Sequence, residues 1–393
     1  MREAPRGLAV LLAAMTAIGP FSIDAYLPSF PAIGADLAAT PVEVQQTLTG
    51  YMLPFAFMTL WHGALADALG RRRVLLVAMA MYVLASLACA LAGRIEVLWL
   101  GRALQGLSAG AGMVVSRAVV RDILDGPPAQ RLMARIGMLF ALAPAVAPVI
   151  GGWIHSAFGW QAIFVFLAIY GVLLWAAIYR WLPETLPRHA RQSLHPLQLL
   201  HAYRSVFGRP AFLALSGAVA LHFNGFFIYV LSSPVFLMQH LGVSERGFLW
   251  LFGPATAGLM AGSFLSSRLA GRLSHGRTMI SGYVIMLAAA AGNLAINLAG
   301  EPALPWAVLP IAIYVTGTAL AMTSQNLLVL DLFPERRGLA ASCQSTLQTG
   351  INAVTASTLA PLAWGSMRGL SVAMAVFLAL SILLASLRPP ATS

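Results

Sequence analysis

The chain contains no lysine. All 24 of its basic residues are arginine, and no physical requirement of a fold accounts for that choice. Cysteine is scarce as well. Cys89 and Cys343 lie far apart in apolar stretches, which argues against a disulfide framework or a cysteine metal site and leaves two buried small hydrophobes. Charge as a whole is thin: 9% of residues, against 59% hydrophobic and a mean hydropathy of +0.80. Soluble domains carry about 25% charged residues, and one core cannot hide this much apolar surface. A phosphate-binding loop G-x-x-x-x-G-K-[ST] is absent, as is any long polar domain, so direct use of ATP is not expected. The apolar runs also lack the Ser/His/Asp or paired-histidine groupings that membrane hydrolysis would need, so the chain does not read as an enzyme.

What is present is a set of long apolar runs that recur to the end of the chain, so a cleaved signal peptide does not explain them. A spanning helix needs roughly 20 mostly apolar residues. Twelve runs qualify: 7–29, 44–66, 74–93, 96–120, 132–155, 160–182, 211–240, 247–270, 278–299, 304–330, 339–364 and 368–387. The runs are too long and continuous for strands, and an open sheet is excluded in lipid. The polar segment 183–210 separates six spans from six. The expected organisation is a six-helix bundle over 1–182, a cytoplasmic linker over 183–210 and a second six-helix bundle over 211–393. That is the layout of a transporter built from two repeats.

The net charge is +11 and the pI about 10.6. A basic pI can signal nucleic-acid binding, but here the arginines punctuate the apolar runs instead of forming one patch, so no nucleic-acid partner is expected. Placing the N-terminus in the cytoplasm puts Arg2, Arg6, Arg71, Arg72, Arg73, Arg121, Arg131, Arg135, Arg180, Arg268, Arg272, Arg277, Arg336, Arg337 and Arg388 on that side, with the arginines of the linker. The other side receives only Arg94, Arg246 and Arg368. This asymmetry sets the orientation.

With the loops and span ends set aside, few charges are left in the membrane. Asp24, in GPFSIDAYLPSFPAI, is the one carboxylate well within a span. It lies ~17 residues into span 1, roughly 25 Å at 1.5 Å per residue, toward the extracytoplasmic half. Intramembrane ionisable residues mark ion paths or substrate sites by default, and a carboxylate in a low-dielectric cavity can bind and release a proton near neutral pH. The competing reading is a carboxylate in an outer vestibule, or one permanently paired with arginine. Pro20, Pro28 and Pro31 flank it; the last two are expected to end the helix. Arg102 and Arg117 both fall in span 4. Arg102 needs a carboxylate, carbonyls or water, and either couples to Asp24 or anchors span 1 against span 4. Gln105 shares its face at i+3. Gly101, Gly106, Gly110 and Gly112 offer a small-residue surface for close helix packing. Arg117 lies nearer the cytoplasmic end, where it can snorkel.

Several segments carry a family resemblance. GALADALGRRRVL (63–75) resembles the loop 2–3 signature of the major facilitator superfamily, LGRALQGLSAG (100–110) its span 4 signature, and LAPAVAPVIGG (142–152) the span 5 antiporter signature. With IDAYLPSFPAI in span 1 and GWQAIF at 159–164, the chain is similar to the Bcr/CflA-type multidrug efflux transporters, which are twelve-helix drug–proton antiporters. The resemblance implies an all-α major facilitator fold of twelve transmembrane helices in two pseudo-symmetric six-helix bundles, with both termini cytoplasmic. It implies the proton as coupling ion, no cofactor, and a working monomer in the bacterial inner membrane. Carried over residue by residue, it implies proton coupling by Asp24 with Arg102, and a cytoplasmic latch of Asp67, Arg71 and Asp122 facing the N-terminus of span 11, whose dipole favours an anion. Pro144, Pro148, Gly151 and Gly152 would seal the halves against leak. The sequence departs from the family at Ala147, often glycine, and at Ala64 and Ala68, often proline and arginine.

A cavity for lipophilic drugs is mostly apolar and aromatic with a few adaptable polar groups. Tyr26, Tyr51, Asn224, Phe227 and Gln325 are the candidates, each of which can equally be packing. His222 in span 7 either titrates near neutral pH or is held by a hydrogen bond. The reading is efflux of a small drug as protons enter, with proton-coupled uptake of a nutrient by the same fold as the alternative. The sequence does not name the drug.

Overall fold

The computed structural model describes residues 6–124, 126–191 and 195–387. Arg2 and Arg388, used above for orientation, lie outside them. The described residues form helices and no named strand; a single isolated bridge joins Ala270 and Leu273. In chain order the α-helices are α1 (Arg6–Asp24), α2 (Phe30–Asp36), α3 (Pro41–Leu69), α4 (Arg71–Ala90), α5 (Ile95–Ile123), α6 (Gly126–Phe158), α7 (Gln161–Trp181), α8 (Pro196–Phe207), α9 (Pro210–Leu231), α10 (Leu249–Leu269), α11 (His275–Ala299), α12 (Leu309–Asp331), α13 (Arg337–Val354), α14 (Ala360–Ala363) and α15 (Met367–Ser386). Ten helical segments among the described residues are long and apolar enough to cross a membrane. Two further runs, α3 and the interrupted α13–α14, stand where spans 2 and 11 were expected.

The chain divides into two compact units, Met1–Pro196 and Leu197–Ser393. In the first, α3 packs on α5, α4 on α7 and on α5, and α1 on α6. The expected small-residue surface of span 4 is used: a Cβ at Gly106 would collide with the backbone carbonyl of Tyr51 on α3. In the second unit α11 packs on α12, α10 on α12, and α15 on α9.

Local chemistry explains the ends. Thr40 and Glu43 form a reciprocal capping box before α3: the Thr40 N–H donates to Glu43 (2.8 Å) and the Glu43 N–H to the Thr40 hydroxyl (3.2 Å). Two donors that a helix start leaves orphaned are thereby satisfied. The Thr40 N–H and hydroxyl together hold the Glu43 carboxyl below the usual carboxylate range.

Four expected segments are corrected. Span 1 does not run unbroken to residue 29: α1 stops at Asp24, a 3-10 turn covers Leu27–Ser29, and α2 carries on to Asp36. Pro28 and Pro31 sit in the first turns of these short helices, where a missing N–H costs nothing, so they start helices instead of ending one. Spans 7 and 11 are each interrupted by π-helix, at Pro234–His240 and Thr355–Leu359. The 183–210 segment is not bare linker, since α8 occupies its second half. Arg209 secures the start of α9 by packing on Phe333, 5.2 Å from the ring centroid, and donating to the Leu332 carbonyl.

Candidate functional site

Asp24 is the last residue of α1, at the break in span 1, and is 4% exposed. Among the described residues its carboxylate has no ion-pair or hydrogen-bond partner. That sets aside the reading in which it is permanently paired with arginine. Gly151 of α6 makes the break possible. A Cβ there would overlap the carbonyl oxygen of Ala25, next to Asp24. Only glycine lets α6 come this close to exposed backbone. Pro144 and Pro148 lie inside α6, one to two turns earlier, and Gly152 is buried beside Gly151.

Arg102 is fully buried on α5, and no carboxylate among the described residues is ion-paired with it. Its guanidinium lies between two tyrosine rings, 4.5 Å from the centroid of Tyr26 and 4.4 Å from that of Tyr51. Its Nη1 donates to Gln105 Oε1 (2.7 Å). Two electron-rich ring faces and an amide oxygen supply what the sequence reading assigned to a carboxylate, carbonyls or water; each ring face is worth about 2 kcal/mol when desolvated. Arg102 Nε and Nη2 are buried and have no partner among the described residues. The Gln105 amide donates to Ser86 Oγ on α4 (2.7 Å). One turn away, Tyr82 meets Ser22 of α1 (2.6 Å), whose own hydroxyl donates to the Ile18 carbonyl (2.6 Å). Tyr26 donates to Thr47 of α3 (2.8 Å), since the Thr47 proton is taken by the Val44 carbonyl. Four helices therefore hold one polar interior around the break at Asp24. Arg117, by contrast, is exposed.

At the opposite end of α3 the structure brings Asp67, Arg71 and Asp122 together. Arg71 Nη1 pairs with Asp67 (2.6 Å) and its Nε with Asp122 (3.1 Å). Sequence reasoning missed that residues 184–191 complete this cluster. The Arg71 N–H, at the start of α4, donates to Glu184 (2.9 Å), and the Thr185 hydroxyl donates to Asp122 (2.7 Å). Arg191 lies 3.7 Å from Glu184. Gly70, at φ +101, has no room for a Cβ because Glu184 and Arg191 fill that space. Glu184 thus acts on the N-terminus of α4 as a capping carboxylate does. Glu184→Ala is expected to cost about 1 kcal/mol, read as a lower apparent Tm of the purified protein, with Glu184→Gln closer to wild type.

In the second unit the candidates separate into distinct clusters. Asn224 of α9 donates to the Ala220 carbonyl and to Asn352 Oδ1, both at 2.8 Å. Asn352 had no sequence signal; it lies just before the π-helical turn of span 11. Phe227 stacks on Phe223 at 5.4 Å between centroids. Gln325 of α12 bonds to His222 (2.8 Å) and Tyr283 (3.1 Å). No group of three or more His, Cys, Asp or Glu among the described residues is placed to hold a metal ion.

Comparison with known proteins gives these clusters a context. A family model described as Major Facilitator Superfamily matches residues 12–356. The chain is 30% identical over 373 residues to a protein named multidrug resistance protein MdtL from Escherichia coli, covering 92% of this chain and 91% of that one. It is 26% identical over 375 residues to a bicyclomycin resistance protein homolog from Haemophilus influenzae, covering 95% and 93%. Among solved structures, a D-xylose–proton symporter superposes with a TM-score of 0.75 over 97% of this chain and 98% of that one, at 14% identity, a likeness of fold alone. The broken first span, the Asp67–Arg71–Asp122 cluster and these matches lead to one assignment: the chain is a multi-pass integral membrane transporter of the Major Facilitator Superfamily, similar to drug-resistance members of the Bcr/CflA type.

Proposed function

We propose that the protein expels small lipophilic drugs across the bacterial inner membrane in exchange for protons. It would act as a monomer with twelve spans and both termini in the cytoplasm, the first bundle carrying proton coupling and the second shaping most of the substrate cavity. The observation that carries this reading is the state of Asp24: buried, at a helix break, with no cation bound to it. A carboxylate held in a fixed salt bridge could not cycle a proton. One left without a partner in a low-dielectric interior can. The names of the relatives support drugs as substrates.

Protonation drives such a machine only by favouring one of its two states over the other. Arg102 suits that role. The tyrosines and Gln105 hold its position while Nε and Nη2 stay unspent, ready for the Asp24 carboxylate or a substrate oxygen in another state of the cycle. Tyr26 and Tyr51, both fully buried, would then position Arg102, and Asn224, Phe227 and Gln325 would be the substrate-binding candidates of the second bundle. Asp67, Arg71 and Asp122 would latch the cytoplasmic side.

The test is flux in everted membrane vesicles energised to be acid inside, with a panel that includes a neutral drug and a lipophilic monocation. Accumulation that a proton uncoupler collapses is the expected result. Accumulation that ignores the uncoupler sinks proton exchange. Movement of substrate in the same direction as protons establishes uptake instead.

A further inference from the structure

We infer that the protein holds an anionic phospholipid where α4 and α7 meet, with the lipid phosphate on Arg72, Arg73 and Arg180 and the acyl chains along the apolar faces of the two helices. Lipid binding here goes beyond the efflux reading and is independent of which substrate moves and in which direction.

The apolar faces come first. On α4, Val77, Met81 and Leu84 are exposed and recur at helical spacing along one stripe. Arg73, one turn before Val77, is exposed at the end of that stripe. On α7, Val165, Ile169 and Val172 are exposed in the same way, and their stripe runs through Trp175 to Tyr179, which is 59% exposed. Arg180, next in the chain, is exposed as well. α4 packs on α7. Side chains as apolar as lipid tails, exposed on spanning helices, face those tails. Both stripes end at one border of the bilayer, in arginine and in a ring of the kind that sits at headgroup level.

Arg72 ties the two ends together. Its Nη2 donates to the Tyr179 carbonyl (2.6 Å), and its guanidinium lies 5.2 Å from the Tyr179 ring centroid. Trp175 stacks on the same ring, 5.4 Å between centroids and 2° from parallel. The cation is therefore held in place by uncharged groups. Its Nε is buried with no partner among the described residues. None of Arg72, Arg73 and Arg180 is ion-paired with a carboxylate among the described residues. The acids at this end of the helices are already engaged: Asp67 and Asp122 by Arg71, Asp122 also by Thr185, and Glu184 by Arg191. Arg73 and Arg180 are the chain neighbours of Arg72 and Tyr179, so three guanidiniums share this corner without an anion. Their planar forks match phosphate oxygens. The charge calls for an anion, and the two apolar stripes beside it call for one that carries acyl chains. Basic sites between spanning helices at the membrane border bind acidic headgroups on this principle.

The experiment uses the full-length protein, purified and stripped of lipid in detergent. It is titrated with phosphatidylglycerol or with phosphatidylcholine of the same acyl chains, and bound lipids are counted by native mass spectrometry. Wild type is expected to bind the first phosphatidylglycerol more tightly than phosphatidylcholine. Arg73→Gln and Arg180→Gln should each weaken phosphatidylglycerol binding about fivefold, the worth of one basic residue toward acidic lipid, and leave phosphatidylcholine binding unchanged. Both side chains are exposed and neither has an ion pair to lose among the described residues, so both variants should fold. Arg272→Gln combined with Arg277→Gln removes two exposed arginines of the second unit and should bind as wild type does. Equal binding of the two lipids by wild type overturns the inference, because the apolar stripes alone would account for it. Unweakened binding by Arg73→Gln and Arg180→Gln overturns it as well. An equal loss in the Arg272, Arg277 variant shows diffuse surface charge instead of a site. Displacement of the lipid by inorganic phosphate at equal concentration shows a site for the free anion, and also overturns the inference.

Discussion

Asp24→Asn is expected to reduce proton-driven efflux to the level of vesicles without the protein, while leaving the folded protein at least as stable as wild type. The two halves of this expectation have separate causes. Asparagine matches aspartate in shape but does not ionise, so a proton can be neither bound nor released at residue 24. Stability should not suffer, because no cation among the described residues is deprived of a partner. Breaking a buried ion pair costs about 3–5 kcal/mol, whereas removing an unpaired buried charge relieves desolvation. Two measurements decide the matter: drug flux under an imposed pH gradient, and the apparent Tm of purified protein. Lost flux with an unchanged or higher Tm supports a coupling role. Lost flux with a Tm lowered by many degrees shows a structural one. Asp24→Glu should recover part of the flux, because the acid is restored but displaced by one methylene.

Gly151→Val should have the second largest effect. The hydrogen at Gly151 faces the Ala25 carbonyl, and any side chain there must push α6 away from the break in span 1. Overpacking a tight contact costs about 1–3 kcal/mol, more when the obstacle is backbone instead of a flexible side chain. The displaced segment carries Asp24 at one end and Tyr26 at the other, and Tyr26 is half of the clamp on Arg102. The expected result is low membrane yield, a reduced Tm, and residual flux that is poorly coupled to the pH gradient. Gly137→Ala is the contrast. Nothing lies within 4 Å of the Cβ position at Gly137 of α6, and its variant should stay near wild type in both measurements. Equal behaviour of the two variants would show that the close approach at Ala25 is not what the motif protects.

The residues differ in how far the sequence alone exposes them. Span existence was legible because crossing lipid is a local property: ~20 apolar residues in a row suffice whatever the neighbours do. Asp24 and Arg102 were legible for the complementary reason, since a charge inside such a run stands out. The Asp67–Arg71 pair was legible only through the family resemblance, since the two residues stand on different helices, α3 and α4, on either side of Gly70. Glu184 and Thr185 were not legible. They sit in a polar segment where acidic and hydroxyl residues are ordinary, and their partners Arg71 and Asp122 are 113 and 63 residues away. The tyrosine clamp was hidden in the same way. Aromatic residues on membrane helices usually pack or face lipid, and nothing in the local pattern marks Tyr26 and Tyr51 as two sides of one cation. Proline misled in span 1. Read singly, Pro28 and Pro31 say where a helix cannot continue, but they equally suit the first turn of a new one.

By itself the amino-acid sequence determined that this chain lives in a membrane, that it consists of helices in two sets, and where buried charge is concentrated. Each of these depends on the composition of a short window and on the cost of removing water from it. Only the tertiary structure decided what those charges meet. Arg102 meets two ring faces and an amide, Asp24 has no ion-pair partner among the described residues and lies beside a glycine-tight backbone, and Gln325 joins His222 to Tyr283 across three helices. Partner choice is set by which helix faces come within about 3 Å of each other, the reach of a hydrogen bond. No window along the chain contains that distance.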